Sequence, residues 1–271
     1  MTTQDGFRGA IFDVDGVLVD SPHEAAWRNA FQELMEGEWA DIREQTSWTP
    51  DGFTSRVYQE VLSGKPRMAG AMGALEYFGV PDPQARVDAY ADRKQEMVVE
   101  LIEAGRFSAY PDALRFVLAV KDAGMAIAAA SSSKNAGLFL RKIRLDTFAE
   151  EEGLSPDWME PGLTLLDAFD VDISGSEFAK GKPHPEIFLT AASELGIDPS
   201  AAFVIEDAES GIQAAKAGEF AALGVARHDD EALLAGADAD IVVTTLDDIA
   251  LDGLAEGRLA RRADWWRSAR A

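Results

Sequence analysis

Apolar and polar positions along this chain predict strands and helices in turn. Six short, nearly continuous apolar runs have the length and composition of buried parallel strands. They lie at 9–12, 125–130, 169–173, 202–205, 221–225 and 240–243. Apolar residues at helical spacing occupy several of the gaps, at 134–143, 185–195, 209–217 and 230–234. This alternation predicts a doubly wound α/β fold built on a parallel sheet.

One long stretch interrupts the alternation. Residues 21–107 have helical periodicity, as at 26–35 and 87–102, and contain no convincing strand. We therefore predict two domains: an α/β core formed by 1–20 and 108–271, and a helical domain formed by 21–107 that is inserted after the first strand. Hinges are expected near 20–22 and 107–111.

The end of the sequence is predicted to form another helix, over 254–271. Its segment 258–270 concentrates basic charge around Trp265 and Trp266 on an otherwise acidic protein. One short helix offers little apolar face to a membrane. We therefore expect the segment to dock on the acidic body of its own chain or on a dimer partner.

Composition narrows the classes of function. The chain has 271 residues and a formal net charge of −23, which argues against nucleic acid or an anionic membrane surface as the main partner. The sequence contains no cysteine, which excludes disulfides, thiolate catalysis and cysteine-ligated metals. No apolar run approaches membrane-spanning length, and residues 1–9 lack a signal-peptide pattern. We expect a cytoplasmic protein, and the oligomeric state stays open.

Four polar segments contain the candidate chemistry, and three of them follow predicted strands directly. They are DVDG at 13–16, SSSKN at 131–135, KGKPHP at 180–185 and EDAESG at 206–211. Taken singly, they have ordinary explanations: an acidic turn, helix capping by Ser133 or Asp207, and a surface lysine at Lys182. A calcium loop does not fit the first segment, because Gly16 is its fourth residue and the EF-hand requires glycine at the sixth.

Taken together, the four segments predict one site. In open α/β sheets, ligands bind beyond the carboxyl ends of the strands. The set supplies carboxylates from two strand ends, hydroxyl and backbone N–H groups at a helix start, and one lysine. These groups suit a hard cation such as Mg²⁺ with a phosphate beside it. The positive charge of the metal would allow an anionic substrate to bind in an acidic pocket.

The four segments also resemble the ordered motifs of the haloacid dehalogenase superfamily. The matching stretches are DVDGVLVDS, the serine of AAASSSKN, the lysine of GKPHPEIF and the acidic pair of VIEDAESG. The resemblance covers residues 9–245. It implies a Rossmann-like, doubly wound core with a helical cap domain inserted after the first strand. It also implies a Mg²⁺-dependent phosphoryl-transfer enzyme.

The resemblance assigns different roles to the two acids of the first motif. Asp13 resembles the nucleophile that becomes an aspartyl-phosphate. Asp15 resembles the general acid/base, whose backbone carbonyl would also ligate Mg²⁺. True dehalogenases lack an acid at this second position, because halide leaves without a proton. An alcohol leaving group needs one, so Asp15 favours phosphate esters over dehalogenation.

The other motifs supply phosphate and metal contacts by the same resemblance. Ser131, with Ser132 beside it, and Lys182 would hold the transferring phosphoryl group. Lys182 would also neutralise the nucleophile. Asp207 would complete the metal site, with Glu206 as a further ligand or as a group just behind the ligands.

Within the superfamily, the nearest resemblance is to β-phosphoglucomutase and its phosphatase relatives. SSSKN resembles their SASKN-type loop, and SGKPR at 63–67 aligns with a cap loop whose arginine grips the far phosphate of a sugar bisphosphate. Arg67 and Lys94 are therefore candidate substrate contacts. A solvated side chain is the alternative for Arg67, and it is the simpler interpretation for Lys94 on a charged helix.

Two features depart from the mutase pattern. The position aligned with the hinge histidine of the mutases is Ala25, and His23 is either its substitute or a solvent-facing side chain. The segment 148–175 is longer and more acidic than its counterpart. We interpret it as a solvated insertion, with an added subsite, an interface or a decorated loop as the alternatives.

The leading hypothesis is a phosphatase that acts on a small phosphorylated metabolite, most simply a sugar phosphate. In it, water activated by Asp15 hydrolyses the phosphate on Asp13. The alternative is a mutase of the β-phosphoglucomutase type, in which a sugar hydroxyl accepts the phosphoryl group. A catalytically idle regulatory or scaffold protein is a more remote alternative, because every motif residue is present.

Overall fold

The computed structural model describes residues 6–62, 65–228 and 230–262. The chain divides into two compact units. Met1–Asp20 and Ser108–Ala271 form the first, which we call the core unit. Ser21–Phe107 forms the second, which we call the helical unit.

A six-stranded parallel sheet organises the core unit. Its strands and those of a small ribbon are, in chain order, β1 Gly9–Phe12, β2 Val19–Asp20, β3 Ser108–Ala109, β4 Ala126–Ala129, β5 Val171–Asp172, β6 Ala202–Glu206, β7 Ala221–Val225 and β8 Ile241–Val243. The sheet order is β5-β4-β1-β6-β7-β8, and every neighbouring pair is parallel. The chain thus fills the sheet outward from β1 in both directions. This confirms the doubly wound α/β class, and each predicted apolar run overlaps one strand.

Helices of the core unit follow most of the strands. Their bounds are Pro111–Asp122, Ala136–Lys142, Leu145–Glu151, Leu165–Ala168, Glu186–Leu195, Glu209–Ala217, Glu231–Gly236 and Leu251–Ala255, with 3-10 turns at Pro199–Ala201 and Leu246–Asp248. Consecutive residues of the central strands, such as Ile11 and Phe12, are fully buried. Such burial is expected of a sheet that is covered on both faces, and it explains why these strands read as unbroken apolar runs.

The register of the three central strands sets the place of the site. Phe12, the last residue of β1, lies opposite Ala129 of β4 and Ile205 of β6. The carboxyl ends of β1, β4 and β6 are therefore level. The residues that follow each strand emerge side by side at one edge of the sheet.

A two-stranded antiparallel ribbon lies where the chain leaves and re-enters the core unit. Val19 pairs with Ala109, and Asp20 pairs with Ser108. The ribbon thus joins the segment just after β1 to the segment that precedes the helix Pro111–Asp122.

In its described residues, the helical unit contains four helices and an aromatic core. The helices are His23–Glu36, Ser55–Val57, Arg67–Tyr77 and Pro83–Glu103, with a π-helical turn at Tyr58–Leu62 and a 3-10 turn at Arg43–Gln45. The described part of this unit contains no strand. Across both units, no described helix is long and apolar enough to cross a membrane.

The predicted helix over 254–271 is wrong for the part that the structure describes. The helix Leu251–Ala255 ends early, because Gly257 adopts a positive φ of 72° and the N–H of Arg258 returns to the carbonyl of Gly253. Ile249 then forms a bridge with Arg261. Residues 263–271, including the two tryptophans, lie outside the described residues, so their docking stays a prediction.

The segment 148–175 is more ordered than a solvated insertion. It contains the end of the helix Leu145–Glu151, the short helix Leu165–Ala168 and β5, which pairs with β4 at the edge of the sheet. The carboxylate of Asp167 accepts the backbone N–H of Thr164 at 2.9 Å, which fixes the start of the short helix. The strand predicted over 169–173 is reduced to Val171–Asp172.

The aromatic core of the helical unit generates a stability prediction. Phe31 is fully buried and packs against the rings of Trp39, Phe78 and Tyr90. Phe31→Ala should lower the free energy of unfolding by about 3–5 kcal/mol, because it removes these contacts and leaves a cavity. Urea denaturation followed by circular dichroism measures the change. Met68→Ala is the control, because Met68 is 42% exposed; equal losses in the two variants would contradict this packing.

Candidate active site

Two carboxylates follow β1 at the edge of the sheet. Asp13 is buried, and its backbone N–H donates to the carbonyl of Ile205 at 3.0 Å. Asp15 comes two residues later and precedes Gly16, whose φ of 81° lies in the left-handed region that glycine adopts freely. The N–H of Gly16 donates to the carbonyl of Val19 at 2.8 Å. A tight turn thus keeps both acids next to the strand end.

Lys182 places its ammonium group against Asp13. Its Nζ lies 2.6 Å from Asp13 Oδ1 and also donates to Glu206 Oε1. The lysine side chain is only 11% exposed, and its Nζ lies 4.9 Å from the centre of the Phe188 ring. The alternative interpretation of Lys182 as a solvated surface lysine is therefore wrong.

Glu206, the last residue of β6, is buried and has contacts at both carboxylate oxygens. One oxygen accepts from Lys182. The other accepts the backbone N–H groups of Asp207 and Ala208, each at 3.0 Å. Gly211 provides the space, since a Cβ added there would lie 1.9 Å from Glu206 Oε1. Glu206 therefore takes up N–H groups ahead of the next helix, and the capping role considered for Asp207 is wrong.

Asp207 lies directly against the glycine turn that follows β1. A Cβ added to Gly16 would lie 1.8 Å from Asp207 Oδ2. Only glycine therefore allows this carboxylate to approach the turn so closely. The contact brings the acids of two strand ends, β1 and β6, into one volume.

Burial and mutual repulsion shift the titration of these groups. Burial, together with the nearby charges of Glu206 and Asp15, raises the pKa of Asp13 to about 7, although Lys182 acts in the opposite direction. Burial also raises the pKa of Asp207 well above its ordinary range, and Glu206 and Asp13 add to the effect. Burial lowers the pKa of Lys182, but the charges of Asp13 and Glu206 outweigh it and raise the pKa overall. The site gathers more carboxylates than its single lysine can neutralise.

This donor set fits a hard divalent cation. The donors are carboxylate and carbonyl oxygens, which Mg²⁺ prefers, and the cation would supply the missing positive charge. Among the described residues, no three acidic or imidazole side chains converge as a ready-made metal cage. Mg²⁺ does not require one, because it keeps several waters and binds through one or two carboxylates and substrate phosphate oxygens. Asp13 and Asp207 could each supply a carboxylate oxygen, and Asp15 its backbone carbonyl.

The loop after β4 brings hydroxyl groups to the same edge. Ser131 is buried, and its Oγ accepts the backbone N–H of Ser133 at 3.2 Å. A serine that accepts one hydrogen bond keeps its O–H for donation to a ligand. Ser132 is exposed. The next helix begins after Asn135, which is its N-cap residue, and the Oγ of Ser133 accepts the N–H of Asn135 at 3.3 Å just ahead of it.

The two remaining predicted residues lie in the helical unit and differ in environment. Arg67 is exposed at the start of its helix, and its guanidinium is 4.0 Å from the carboxylate of Asp92. Lys94 is buried, at 6% exposed. Its Nζ lies 4.9 Å from the centre of the Trp27 ring and 3.4 Å from His23 Nδ1. The solvated interpretation of Lys94 is therefore wrong.

Sequence reasoning missed two contributions to these sites. It did not connect His23 with Lys94, although the i, i+4 spacing of His23 and Trp27 on one helix is a usable signal for a shared face. It also overlooked Gly211, whose position in the first turn after two acids indicates a close approach to one of them.

Comparisons with known proteins identify the family of this chain. The sequence model of the haloacid dehalogenase-like hydrolases matches residues 7–218. A β-phosphoglucomutase of Mycobacterium bovis is 32% identical over 258 residues, which cover 88% of this chain and 90% of that protein. Validoxylamine A 7′-phosphate phosphatase of Streptomyces hygroscopicus is 30% identical over 249 residues, covering 90% of this chain and 96% of that protein.

A solved structure shows the same likeness in three dimensions. An archaeal β-phosphoglucomutase from a hyperthermophilic Pyrococcus species has a TM-score of 0.68 and 30% identity, covering 91% of this chain and 96% of that one. The fold and these matches define an enzyme of the phosphatase or phosphomutase type. The chain belongs to the haloacid dehalogenase-like hydrolase family. Within this family it is similar to β-phosphoglucomutases.

The contact between Gly211 and Glu206 generates a second stability prediction. Gly211→Ala should displace the carboxylate of Glu206 from Lys182 and lower the free energy of unfolding by about 1–3 kcal/mol. Calorimetry measures the change. Gly236→Ala is the matched control, because nothing lies within 4 Å of a Cβ added at this helical residue. The control should be neutral or stabilising by up to about 1 kcal/mol. Equal stability of the two variants would contradict the placement of Glu206.

Proposed function

We propose that the protein is a Mg²⁺-dependent enzyme that transfers a phosphoryl group from a small sugar phosphate to Asp13. The observation that carries this proposal is the 2.6 Å contact between Lys182 Nζ and Asp13 Oδ1 at a strand end crowded with acids. The ammonium group offsets the repulsion between this carboxylate and an incoming phosphate. Phosphoryl transfer demands mainly positioning and charge neutralisation from the protein.

Asp13 and Asp15 divide the chemistry between them. A carboxylate oxygen of Asp13 attacks phosphorus, and the bond between phosphorus and the sugar oxygen breaks. Asp15 gives a proton to the departing sugar oxygen. An acceptor hydroxyl then takes the phosphoryl group from Asp13 and returns a proton to Asp15. A halide leaving group would need no proton, so Asp15 supports phosphate-ester chemistry over dehalogenation.

The remaining residues hold the phosphoryl group and the metal. Ser131, Ser132 and Lys182 bind phosphoryl oxygens. Asp13, Asp207 and the backbone carbonyl of Asp15 would hold Mg²⁺, which supplies positive charge to the same oxygens when bound. Glu206 already uses both oxygens on Lys182 and backbone N–H groups. We therefore assign it the role of positioning Lys182.

The sugar-phosphate class is supported by the relatives. Two proteins at 30% identity or more are named for phosphorylated sugars or sugar-like compounds, a β-phosphoglucomutase and a validoxylamine A 7′-phosphate phosphatase. Their coverage of nearly the whole chain supports an assignment to the same substrate class.

Loss of the nucleophile tests the reaction. Asp13→Asn should reduce turnover to the uncatalysed background, because an amide cannot form the acyl phosphate. Phosphate release and interconversion of sugar phosphates, measured with Mg²⁺ on a substrate panel, provide the readout. Asp122→Asn on the exposed end of a core helix is the control and should retain wild-type rates. A wild-type protein as inactive as Asp13→Asn across the panel would refute the proposal and favour an idle regulatory or scaffold protein.

The acceptor of the phosphoryl group separates two functions. Water makes the enzyme a phosphatase, and a second sugar hydroxyl makes it a mutase. A mutase must also bind the second phosphate of a sugar bisphosphate. Lys94 supports this candidate, because it is a buried cation fixed beside His23 and Trp27 rather than a mobile surface charge. We propose that Lys94 binds this second phosphate, and that the enzyme is a phosphomutase.

Lys94→Gln tests the choice of acceptor. Conversion of glucose 1-phosphate to glucose 6-phosphate, primed by a catalytic amount of the sugar bisphosphate, should fall about 10- to 100-fold, as expected for the loss of a charged hydrogen bond. Hydrolysis of p-nitrophenyl phosphate, which has one phosphate, should be unchanged. Lys142→Gln, at an exposed lysine, is the control. Stoichiometric phosphate release by the wild type without conversion would identify a phosphatase and overturn the mutase proposal.

A further inference from the structure

Arg227 lies two residues after β7 and reaches the loop that carries Asp13 and Asp15. Its side chain is 8% exposed. Nε donates to the carbonyl of Gly16 at 3.2 Å, and Nη2 donates to the carbonyl of Val17 at 3.1 Å. A residue more than 200 positions away in sequence therefore holds two consecutive peptide groups of this loop.

The other side of the same guanidinium group contacts the segment that follows β3. Nη1 lies 3.0 and 3.3 Å from the two carboxylate oxygens of Asp112. The guanidinium carbon lies 3.9 Å from the centre of the Tyr110 ring. Asp112 also accepts the backbone N–H of Leu246 at 2.8 Å, and the N–H of Tyr110 donates to the carbonyl of Leu18 at 3.0 Å. These contacts hold Arg227 in one orientation.

The arrangement requires an arginine rather than a positive charge alone. The planar guanidinium group has donors pointing in several fixed directions, so it can reach two carbonyls and a carboxylate at once while it stacks on a ring. A lysine ammonium is a compact charge on a flexible stem and cannot reproduce this fork. A buried carbonyl group that lacks a hydrogen-bond donor costs free energy. Contact with Arg227 therefore stabilises the observed position of the loop.

We propose that Arg227 is a positioning residue for the catalytic loop. It fixes the peptide groups of Gly16 and Val17, and through them the place of Asp15 and the close approach of Asp207 to the turn. It also ties this loop to the β2–β3 ribbon, where the chain leaves and re-enters the core unit. The kinetic consequence rests on the proposed function, whereas the structural consequence does not.

Hydrogen–deuterium exchange of the Mg²⁺-free protein tests the structural part. The N–H groups of Leu18 and Val19 both donate to the carbonyl of Val14 inside this loop. In Arg227→Gln, exchange over residues 14–20 should become about 10- to 100-fold faster, as expected for the loss of charge-assisted hydrogen bonds. Arg227→Lys should also exchange faster than wild type, because it keeps the charge and loses the fork.

Arg115→Gln is the matched control. Arg115 is another arginine of the core unit, and it makes a paired contact with Asp247 at 2.6 and 2.9 Å and a further contact with Glu152. Its substitution removes an ion pair of similar geometry that includes neither of the loop carbonyls bound by Arg227. Exchange over residues 14–20 should stay at the wild-type rate in this variant.

Kinetics test the consequence for catalysis. Arg227→Gln should lower kcat by on the order of 100-fold, as a misplaced catalytic group does, with little change in KM. Arg227→Lys should recover only part of this loss, and Arg115→Gln should retain wild-type values. Far-UV circular dichroism verifies that each variant is folded. If Arg227→Gln does not fold, the exchange rate and kcat of Arg227→Lys test the inference instead.

Two results would overturn the inference. The first is wild-type exchange over residues 14–20 in a folded Arg227→Gln protein. The second is full recovery of exchange and kcat in Arg227→Lys, which would make the charge, and not the fork, responsible. An inactive wild type would refute the proposed function, while the exchange experiment would still decide the role of Arg227.

Discussion

A buried lysine ammonium shared between two carboxylates is the interaction on which this edge of the sheet depends. Like charges a few ångströms apart repel by about 4 kcal/mol at the effective dielectric near a protein surface. Asp13 and Glu206 can approach each other because Lys182 lies between them. Removal of one partner from such a buried set typically costs about 3–5 kcal/mol. The lysine is therefore part of the fold as well as of the site.

The cluster also explains why glycine occupies two positions around it. The register of β1 against β6 brings the residues after both strands level with each other. The acids then crowd the adjoining backbone, and Gly16 and Gly211 are the points where a Cβ would collide with a carboxylate. Strand register, charge pairing and the two glycines are consequences of one constraint, which is that four acids share a small volume.

The sheet, and the polar segments that lie together at its edge, could be predicted from the sequence because both depend on local patterns. Buried parallel strands are continuously apolar, and polar groups at their carboxyl ends stand out against that background. Contacts between distant segments have no such pattern. Lys94 was interpreted as solvated because its helix carries many charges, and Arg227 was not singled out because its partners lie more than 100 residues away. The helix predicted near the C-terminus ended early because a glycine at 257 allows the chain to turn back.

The acids at this edge of the sheet carry more negative charge than the neighbouring lysine can neutralise, and this excess bears on what the site can bind. Lys182 alone does not balance the acids around it; burial raises the pKa of Asp13, and the charges of Glu206 and Asp15 add to this effect. A divalent cation would correct the excess and would also offset the charge of a phosphate, so the crowded acids would favour binding of the cation and, through it, of the phosphate. In the proposed reaction, the same acids and lysine would serve transfer to water and transfer to a sugar hydroxyl equally well. The choice between these acceptors must therefore come from residues outside the cluster.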